Sequence, residues 1–242
     1  MKISPEVSPY LSGEKFSNGL DVRYECNDQD YVYRSRIDVL RELCQSKNVV
    51  HLGCVDHNED MIARKLEKNK WLHKHLCDVS ERCFGIDLSE NGIQYLKGEL
   101  GYQDSAVLDI TAGSCESLEQ LQWDYLLIPE VLEHIGNPVQ FLADIKKQHS
   151  GRFKQVVITV PNAFSLDIMK QAVKGIETIN TDHRFWFTPY TLSKVVHSAG
   201  LKPQKIIMCK GGIVKKRSVF RNYKFSRNPL LRGNIVMLCS MD

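Results

Sequence analysis

The 242-residue sequence has no run of about 18 consecutive apolar residues, so it predicts no membrane-spanning helix. The opening residues, MKISPE, lack the apolar core of a signal peptide, and no two cysteines form a CxxC pair. We therefore expect a cytoplasmic protein whose eight cysteines are reduced, mostly buried thiols. With 43% hydrophobic and 25% charged residues, the chain has an ordinary globular composition, and its length fits one α/β domain.

Metal-ligand patterns are also scarce. The only cluster of suitable residues is His73, His75, Cys77 and Cys83, which spans the end of a predicted helix and the start of a predicted strand. A structural zinc site usually has ligands paired at short spacing. We therefore assign no metal ligands.

Positive charge is concentrated near the end of the chain. Residues 201–242 contain ten Lys or Arg and one acidic residue, although the whole chain carries a net charge of only +3. A basic segment on an otherwise acidic body is typical of a protein with an anionic partner, such as a phosphate, a nucleic acid or a membrane surface. A solvated hairpin that keeps an edge strand soluble explains the pattern equally well.

Short apolar runs alternate with helical periodicity along the chain, which predicts a doubly wound, mostly parallel sheet of seven strands. The final two strands have no helical pattern between them, which favours an antiparallel terminal hairpin. We expect one domain over 1–242, with a lid or helical region at 1–46, a core at 47–200 and basic closing strands at 201–242. The predicted strands cover residues 48–54, 82–87, 107–110, 123–128, 155–160, 205–209 and 234–240.

Glycine or acidic residues stand at the ends of the first four predicted strands. They are Gly53, Asp87, Asp109 and the Pro129-Glu130 pair. Ligands of open α/β sheets bind at the carboxyl ends of the strands. An acid at the second strand end can accept both hydroxyls of a ribose, and an acid at the third can reach an adenine amine. This order of residues therefore predicts a site for an adenosine-bearing cofactor.

Residues 83–88 (CFGIDL), 124–134 (DYLLIPEVLEH) and 159–162 (TVPN) resemble motifs of the class I S-adenosylmethionine-dependent methyltransferases, and residues 47–200 match the motif order of that family. The segments 53–57 (GCVDH), 71–73 (WLH) and 182–187 (DHRFWF) look like a branch found among bacterial glycan-biosynthesis methyltransferases. The resemblance implies a Rossmann-like methyltransferase fold and S-adenosyl-L-methionine as cofactor.

The resemblance also implies roles for single residues. Gly53 and Cys54 would offer backbone groups to the methionine end of the cofactor, and Asp87 would hold its ribose. Leu88 would pack beside the adenine, Asp109 and Ile110 would lie on its other side, and Pro129 and Glu130 would sit beside the sulfonium. The alternative for Asp109 is an ordinary turn or helix-capping residue.

The first motif of that family usually has two or three glycines, but here only Gly53 remains. A dinucleotide needs glycines so that its pyrophosphate can approach the helix start, whereas S-adenosylmethionine has no phosphate. The interval from Gly53 to Asp87 also exceeds the roughly 20 residues of a dinucleotide-binding fold. The missing glycines therefore argue against NAD, and we interpret residues 56–70 as an insertion over the cofactor mouth.

Two histidines are candidates for catalysis. Methyl transfer depends mainly on holding the acceptor about 3 Å from the methyl group, and a hydroxyl acceptor also needs a base. His183 lies in a loop predicted to cover the acceptor pocket, and His134 follows the fourth strand. The alternatives are that His134 only fixes its loop, and that His183 caps the next helix while Phe185 and Phe187 anchor the loop.

The acceptor is left open by the sequence. The preferred hypothesis, by analogy with the resembled branch, is a sugar hydroxyl in a glycan or a nucleotide-sugar, with or without a phosphate group. The alternatives are a small phenol or quinone, RNA bound by the basic segment, and a non-catalytic cofactor-binding scaffold. Phe220, Tyr223 and Phe225 alternate with basic residues, as RNA recognition would require, although nucleic acid is the less favoured partner. Peripheral contact with a membrane is a further possibility.

Overall fold

The computed structural model describes residues 1–214 and 217–241. Seven strands form one sheet in the order β5-β4-β3-β6-β7-β9-β8, and two-residue strands β1 and β2 form a separate ladder. The bounds are β1 Lys2–Ile3, β2 Tyr24–Glu25, β3 Asn48–Leu52, β4 Arg82–Asp87, β5 Ser105–Val107, β6 Trp123–Pro129, β7 Phe153–Pro161, β8 Lys202–Cys209 and β9 Asn234–Ser240.

Helices separate most of these strands. Their bounds are α1 Ser8–Ser12, α2 Arg36–Cys44, α3 Glu59–Glu67, α4 Leu72–Cys77, α5 Glu90–Gly98, α6 Glu116–Glu119, α7 Pro138–Gln148, α8 Leu166–Ala172, α9 Pro189–Ser198 and α10 Val219–Arg227. Short 3₁₀ turns occur at Pro5–Val7, Asp28–Tyr31, Leu132–His134 and Pro229–Leu231. Among the described residues, none of the helices has the length and apolarity needed to cross a bilayer.

Parallel pairing dominates the sheet. β3 pairs in parallel with β4 and β6, β4 with β5, and β6 with β7, while β9 runs antiparallel to both β7 and β8. The prediction of a mostly parallel, seven-stranded sheet with an antiparallel closing pair is confirmed. Because parallel strands point the same way, the carboxyl ends of β3, β4 and β6 meet at one edge.

The core lies on both faces of this sheet. Successive strand residues point to opposite faces, so Val156 and Ile158 of β7 join one apolar cluster and Val157 joins the other. The first cluster includes Leu142 of α7, and the second includes Leu40 of α2. Burial on both faces explains why these strands read as continuous apolar runs.

Several boundaries differ from those predicted. The strand expected at 107–110 lies earlier, at Ser105–Val107, because the Asp109 carboxylate accepts hydrogen bonds from the Thr111 N–H (2.9 Å) and hydroxyl (2.6 Å) and begins a turn. The insertion expected at 56–70 contains α3, whose first turn is capped by Asn58 accepting from Met61 N at 3.0 Å.

The prediction of no helix between the last two strands is wrong. Helix α10 occupies Val219–Arg227, followed by the 3₁₀ turn, and the buried ring of Phe225 stacks on Tyr33 at 5.1 Å between ring centroids. Packing thus stabilises a helix that a weak apolar pattern does not predict. Lys215 and Lys216 of the predicted basic segment lie outside the described residues.

Because the core covers both faces of the sheet, substituting a central residue should change the free energy of unfolding far more than substituting a surface residue. Leu126 of β6 is fully buried, and Leu126→Ala should lower the free energy of unfolding by about 2–5 kcal/mol, measured by urea denaturation. Val219 is 68% exposed, and Val219→Ala should change the same quantity by less than about 0.5 kcal/mol. Equal denaturation midpoints for the two variants would contradict this packing.

Candidate functional site

A cavity of about 690 Å³ opens at the edge where the carboxyl ends of β3, β4 and β6 meet. Eight of the ten predicted site residues line it: Gly53, Cys54, Asp87, Leu88, Pro129, Glu130, His134 and His183. Segments far apart in sequence thus contribute to one cavity.

Asp109 and Ile110 do not line this cavity. Asp109 is exposed and held by its own turn, while Ile110 is buried in the core, where its carbonyl oxygen lies 2.8 Å from His149 Nε2. Because β5 ends at Val107, Asp109 and Ile110 lie in the loop after the strand and not at its last positions, where the prediction placed them. Their predicted contacts with adenine stay predictions, and the geometry of Asp109 favours the turn-residue alternative.

Gly53 lies immediately after β3 with φ +78°, a conformation that L-residues rarely adopt. A Cβ at this position would also lie 3.2 Å from Val131 Cγ2. The N–H groups of Gly53 and Cys54 both donate to the Ile86 carbonyl oxygen, at 2.8 and 3.3 Å. Both N–H groups of this turn are therefore engaged within the protein.

Asp87 is the last residue of β4, and its carboxylate is held from two sides. Oδ2 accepts from Val55 N at 2.9 Å, and Oδ1 accepts from Ser89 N at 3.0 Å. Each carboxylate oxygen keeps a further acceptor site, so two adjacent hydroxyls could donate to this group. The neighbouring Leu88 is 70% exposed and lines the same cavity, which offers a flat ligand an apolar contact.

Glu130 follows β6 with a positive φ of +54° and is fixed by three elements. Its Oε1 accepts from Thr159 Oγ1 at 2.9 Å and lies 3.2 Å from Arg36 Nη1, and both of its oxygens lie 3.0 Å from Asn234 Nδ2. A residue held in strained backbone by so many contacts is typical of a functional position. The network fixes the Glu130 carboxylate at the cavity wall.

Glu133 is a site residue that the sequence interpretation missed as a candidate. Its side chain is fully buried, yet neither carboxylate oxygen has a hydrogen-bond partner in the described part of the chain. Burial, and secondarily the charge of Glu130, raise the pKa of the Glu133 carboxyl to about 8. An acidic residue inside the apolar loop 131–135 was the signal that could have identified it.

His183 stands directly beside this acid. Its Nε2 lies 3.9 Å from Glu133 Oε1, while Nδ1 is buried without a partner among the described residues. Burial and then the nearby His134 lower the pKa of the His183 imidazole, so the ring is neutral near pH 7. The His134 and His183 rings meet edge to face with centroids 4.7 Å apart. A neutral imidazole beside an acid can accept a proton from a hydroxyl.

The same three side chains also form a potential cation site. Glu133, His134 and His183 each place one ligand atom within 4.8 Å of the others. A carboxylate with two imidazoles could hold a divalent cation. The same three side chains could instead act as a proton-transferring acid–base group.

The insertion forms one rim of the cavity. Asp56 and His57 adopt consecutive positive φ values of 59° and 71°, which turn the chain into α3, and Lys65 of α3 pairs with Asp56 at 2.5 Å. Asp56, His57 and Lys65 line the cavity from this side, and Asn180 and Asp182 line it from another. The rim is therefore rich in polar and charged groups, as a polar ligand would require.

No protein-family model matches the sequence, and no curated protein matches it significantly. Solved structures do match. Magnesium protoporphyrin IX methyltransferase from Synechocystis PCC 6803, with bound S-adenosylhomocysteine, has a TM-score of 0.51 and 11% identity over 90% of this chain and 89% of its own. A S-adenosylmethionine-dependent methyltransferase from Clostridium acetobutylicum has a TM-score of 0.51 and 11% identity over 89% and 92% of the chains.

The small RNA methyltransferase HEN1 is also similar, with a TM-score of 0.53 and 14% identity over 93% of this chain and 27% of its own. At these identities the likeness shows the fold. The prediction of a Rossmann-like methyltransferase fold is therefore confirmed, and assignment to the glycan-biosynthesis branch stays a prediction.

Burial of Glu133 predicts a distinctive pH dependence of stability. Because the folded protein holds the Glu133 proton up to about pH 8, whereas an unfolded glutamic acid loses it near pH 4.5, the folded state binds more protons between these values. The free energy of unfolding should therefore fall as the pH rises from 5 toward 8, and this group contributes up to about 1.4 kcal/mol per pH unit to the fall.

Glu133→Gln should remove that part of the slope, as measured by urea denaturation at several pH values between 5 and 8. Gln94 is exposed on α5 and does not line the cavity, so Gln94→Glu serves as a control that adds an exposed acid and leaves the slope in place. Identical slopes for the wild-type chain and Glu133→Gln would show that Glu133 ionises normally.

Proposed function

We propose that this chain is a S-adenosylmethionine-dependent methyltransferase that transfers the methyl group to a hydroxyl oxygen of a sugar, in a glycan or a nucleotide-sugar. The observation that carries the proposal is the single cavity in which a positioned carboxylate, Asp87, lies together with a neutral imidazole, His183, and a buried acid, Glu133. The fold is shared with methyltransferases, and one of those neighbours holds S-adenosylhomocysteine. These similarities support the predicted enzyme class and cofactor.

The lining of the cavity fits this cofactor. Asp87, with its spare acceptor sites, would hold the ribose hydroxyls, and the exposed Leu88 would cover one face of the adenine. The Gly53 turn would lie beside the methionine end, and the fixed Glu130 carboxylate would lie on the side of the reacting centre. When bound, the cofactor supplies a methyl group on a cationic sulfur.

The chain's own contribution is to hold the acceptor and remove its proton. With the cofactor bound, His183 would take the proton of the acceptor hydroxyl, since its buried Nδ1 has no competing partner in the described residues. Glu133 Oε1 lies 3.9 Å from Nε2, too far for a hydrogen bond, but once ionised it would stabilise the protonated form of the ring. Such positioning supplies most of the rate in a direct group transfer.

A polar, phosphate-bearing acceptor suits the rim of the cavity. Asn180 and Asp182 offer hydrogen bonds to sugar hydroxyls, and the exposed Lys70 lines the cavity where an anionic group could enter. The sugar itself is supported by the resemblance of 53–57, 71–73 and 182–187 to glycan-biosynthesis methyltransferases. A phenol or quinone fits this charged rim less well.

RNA is the second candidate acceptor, on one specific observation. Helix α10 exposes the rings of Phe220 (92%) and Tyr223 (63%) beside Arg221 and Arg227, and Arg227 lies 5.6 Å from the Tyr223 ring centroid. Exposed aromatic rings next to arginines are what single-stranded RNA stacks on. A structural neighbour is a small RNA methyltransferase.

A screen with methyl-labelled S-adenosylmethionine tests the proposal. Label should appear in nucleotide-sugars or saccharides and not in phenols. Label in RNA oligonucleotides, lost in Phe220→Ala, would favour the second candidate. Binding of S-adenosylhomocysteine with no transfer to any acceptor would favour a non-catalytic scaffold, and no binding at all would contradict the enzyme assignment.

The positions of Asp87 and Asp109 predict a large effect on cofactor binding for one substitution and almost none for the other. Asp87→Ala should weaken binding of S-adenosylhomocysteine at least about tenfold, because a bidentate contact to two hydroxyls is lost. Asp109→Ala, outside the cavity, should change the dissociation constant less than about twofold. Titration calorimetry measures both, and a larger loss in Asp109→Ala than in Asp87→Ala would contradict the placement of the site.

His183 is expected to act in the transfer step. His183→Ala should reduce methyl transfer about a hundredfold or more while leaving S-adenosylhomocysteine binding nearly unchanged, because the base and not the cofactor contact is lost. His197, at a remote half-buried position on α9, supplies the control His197→Ala, which should keep normal turnover. Near-normal turnover of His183→Ala would remove this residue from the mechanism.

A further inference from the structure

A second group of ligand-type side chains adjoins the cavity, and one of its members, His51, lines it. His73, Cys77 and Cys83 each place one ligand atom within 4.8 Å of the others, although their sequence spacing is not that of a familiar zinc motif. We propose that His73, Cys77 and Cys83, with His51 as fourth ligand, form a structural binding site for one Zn²⁺. This site is separate from the proposed methyl-transfer chemistry and does not depend on it.

Local structure brings the donors together. His73 and Cys77 lie four residues apart in α4, so they project from the same helix face. Cys83 is the second residue of β4 and follows the short connection 78–81. Two residues later, a Cβ at Gly85 would lie 3.0 Å from His73 Cε1, so the glycine leaves space for the imidazole against the strand.

The separations fit a tetrahedral ion. With Zn–N near 2.0–2.1 Å and Zn–S near 2.3 Å, two ligand atoms on one zinc lie about 3.4 Å apart for nitrogens and about 3.6 Å apart for nitrogen and sulfur. Cys77 Sγ lies 3.7 Å from His73 Nε2, and Cys83 Sγ lies 3.8 Å from His73 Nδ1. These are the two different nitrogens of one imidazole, so one ion can bind only one of them and the second thiolate must turn toward it. With one atom taken from each residue, the three ligand atoms lie within 4.8 Å of one another.

His51 supplies the fourth donor. Its Nδ1 lies 3.1 Å from His73 Nδ1, close to the nitrogen separation expected on one ion, and His51 stands opposite Gly85 across the β3–β4 pair. His75, the other histidine of the sequence cluster, points elsewhere: its nitrogens lie 3.1 Å from Arg41 Nη1 and 2.9 Å from the Asn69 carbonyl oxygen. Two imidazoles and two thiolates are a common structural zinc set.

The surroundings explain what the ion would stabilise. His73 is fully buried and packs against Trp71 and Tyr102, with ring centroids 5.3 and 5.4 Å apart. Trp71 lines the cavity and donates its Nε1 to the Cys54 carbonyl oxygen at 3.1 Å. An ion bound by β3, α4 and β4 therefore fixes one wall of the cavity.

Cobalt substitution of the full chain tests the site. Protein purified under reducing conditions, stripped by a chelator and titrated with Co²⁺ should bind about one equivalent, with a thiolate-to-cobalt charge-transfer band that Zn²⁺ abolishes. Cys77→Ser and Cys83→Ser should lose the band. Cys115→Ser, a half-buried cysteine outside the cluster, should keep it.

A second measurement needs no variant. Alkylation of the wild-type thiols, mapped by mass spectrometry, should be at least about tenfold slower at Cys77 with Zn²⁺ present and unchanged at Cys115. The proposal is overturned by absence of a charge-transfer band, by undiminished cobalt binding in both folded serine variants, or by equal alkylation with and without Zn²⁺. A Cys77–Cys83 disulfide in protein purified under reducing conditions would overturn it as well.

Discussion

Parallel pairing of β3 with β4 and β6 is the constraint on which the rest of the structure depends. It brings Gly53, Asp87 and Glu130 to one edge of the sheet, although they are widely separated in sequence. The loops that follow these strands need no common sequence motif, because the register of the strands already places the loops side by side. The same pairing places His51 opposite Gly85 and so forms the cluster with His73 beside the cavity.

The cavity holds two glutamates in opposite environments. Glu130 is surrounded by Arg36, Thr159 and Asn234, which pair with its carboxylate, whereas Glu133 is buried with no hydrogen-bond partner in the described part of the chain, and its pKa rises to about 8. An ion-paired, hydrogen-bonded carboxylate next to a buried acid with a raised pKa is typical of a site that both stabilises positive charge and handles protons. Both properties are needed to move a methyl group from a cation to a hydroxyl.

Much of this fold could be predicted from the sequence because buried strands carry strong local signals. The bounds of β4 at Arg82–Asp87 and of β9 at Asn234–Ser240 agree with the predictions. Helix α10 was missed because its stability depends on the contact of Phe225 with Tyr33, residues far apart in sequence.

The candidate site was predictable in part, for the same reason. Residues that end strands were found, whereas Asp109 was placed on a strand that ends two residues earlier. The burial of the Glu133 carboxyl and the proximity of the His73 and Cys83 side chains depend on tertiary packing. Neither could therefore be deduced from sequence spacing alone. Sequence pattern predicts which edge carries the ligand, and packing decides the protonation of the groups there.

A crystal structure of the chain with S-adenosylhomocysteine tests the central claim most directly. The account predicts that the ribose hydroxyls donate to the Asp87 carboxylate and that the sulfur lies on the side of Glu130 and His183. An adenosine bound elsewhere on the protein, or bound in this cavity without contact to Asp87, would contradict it.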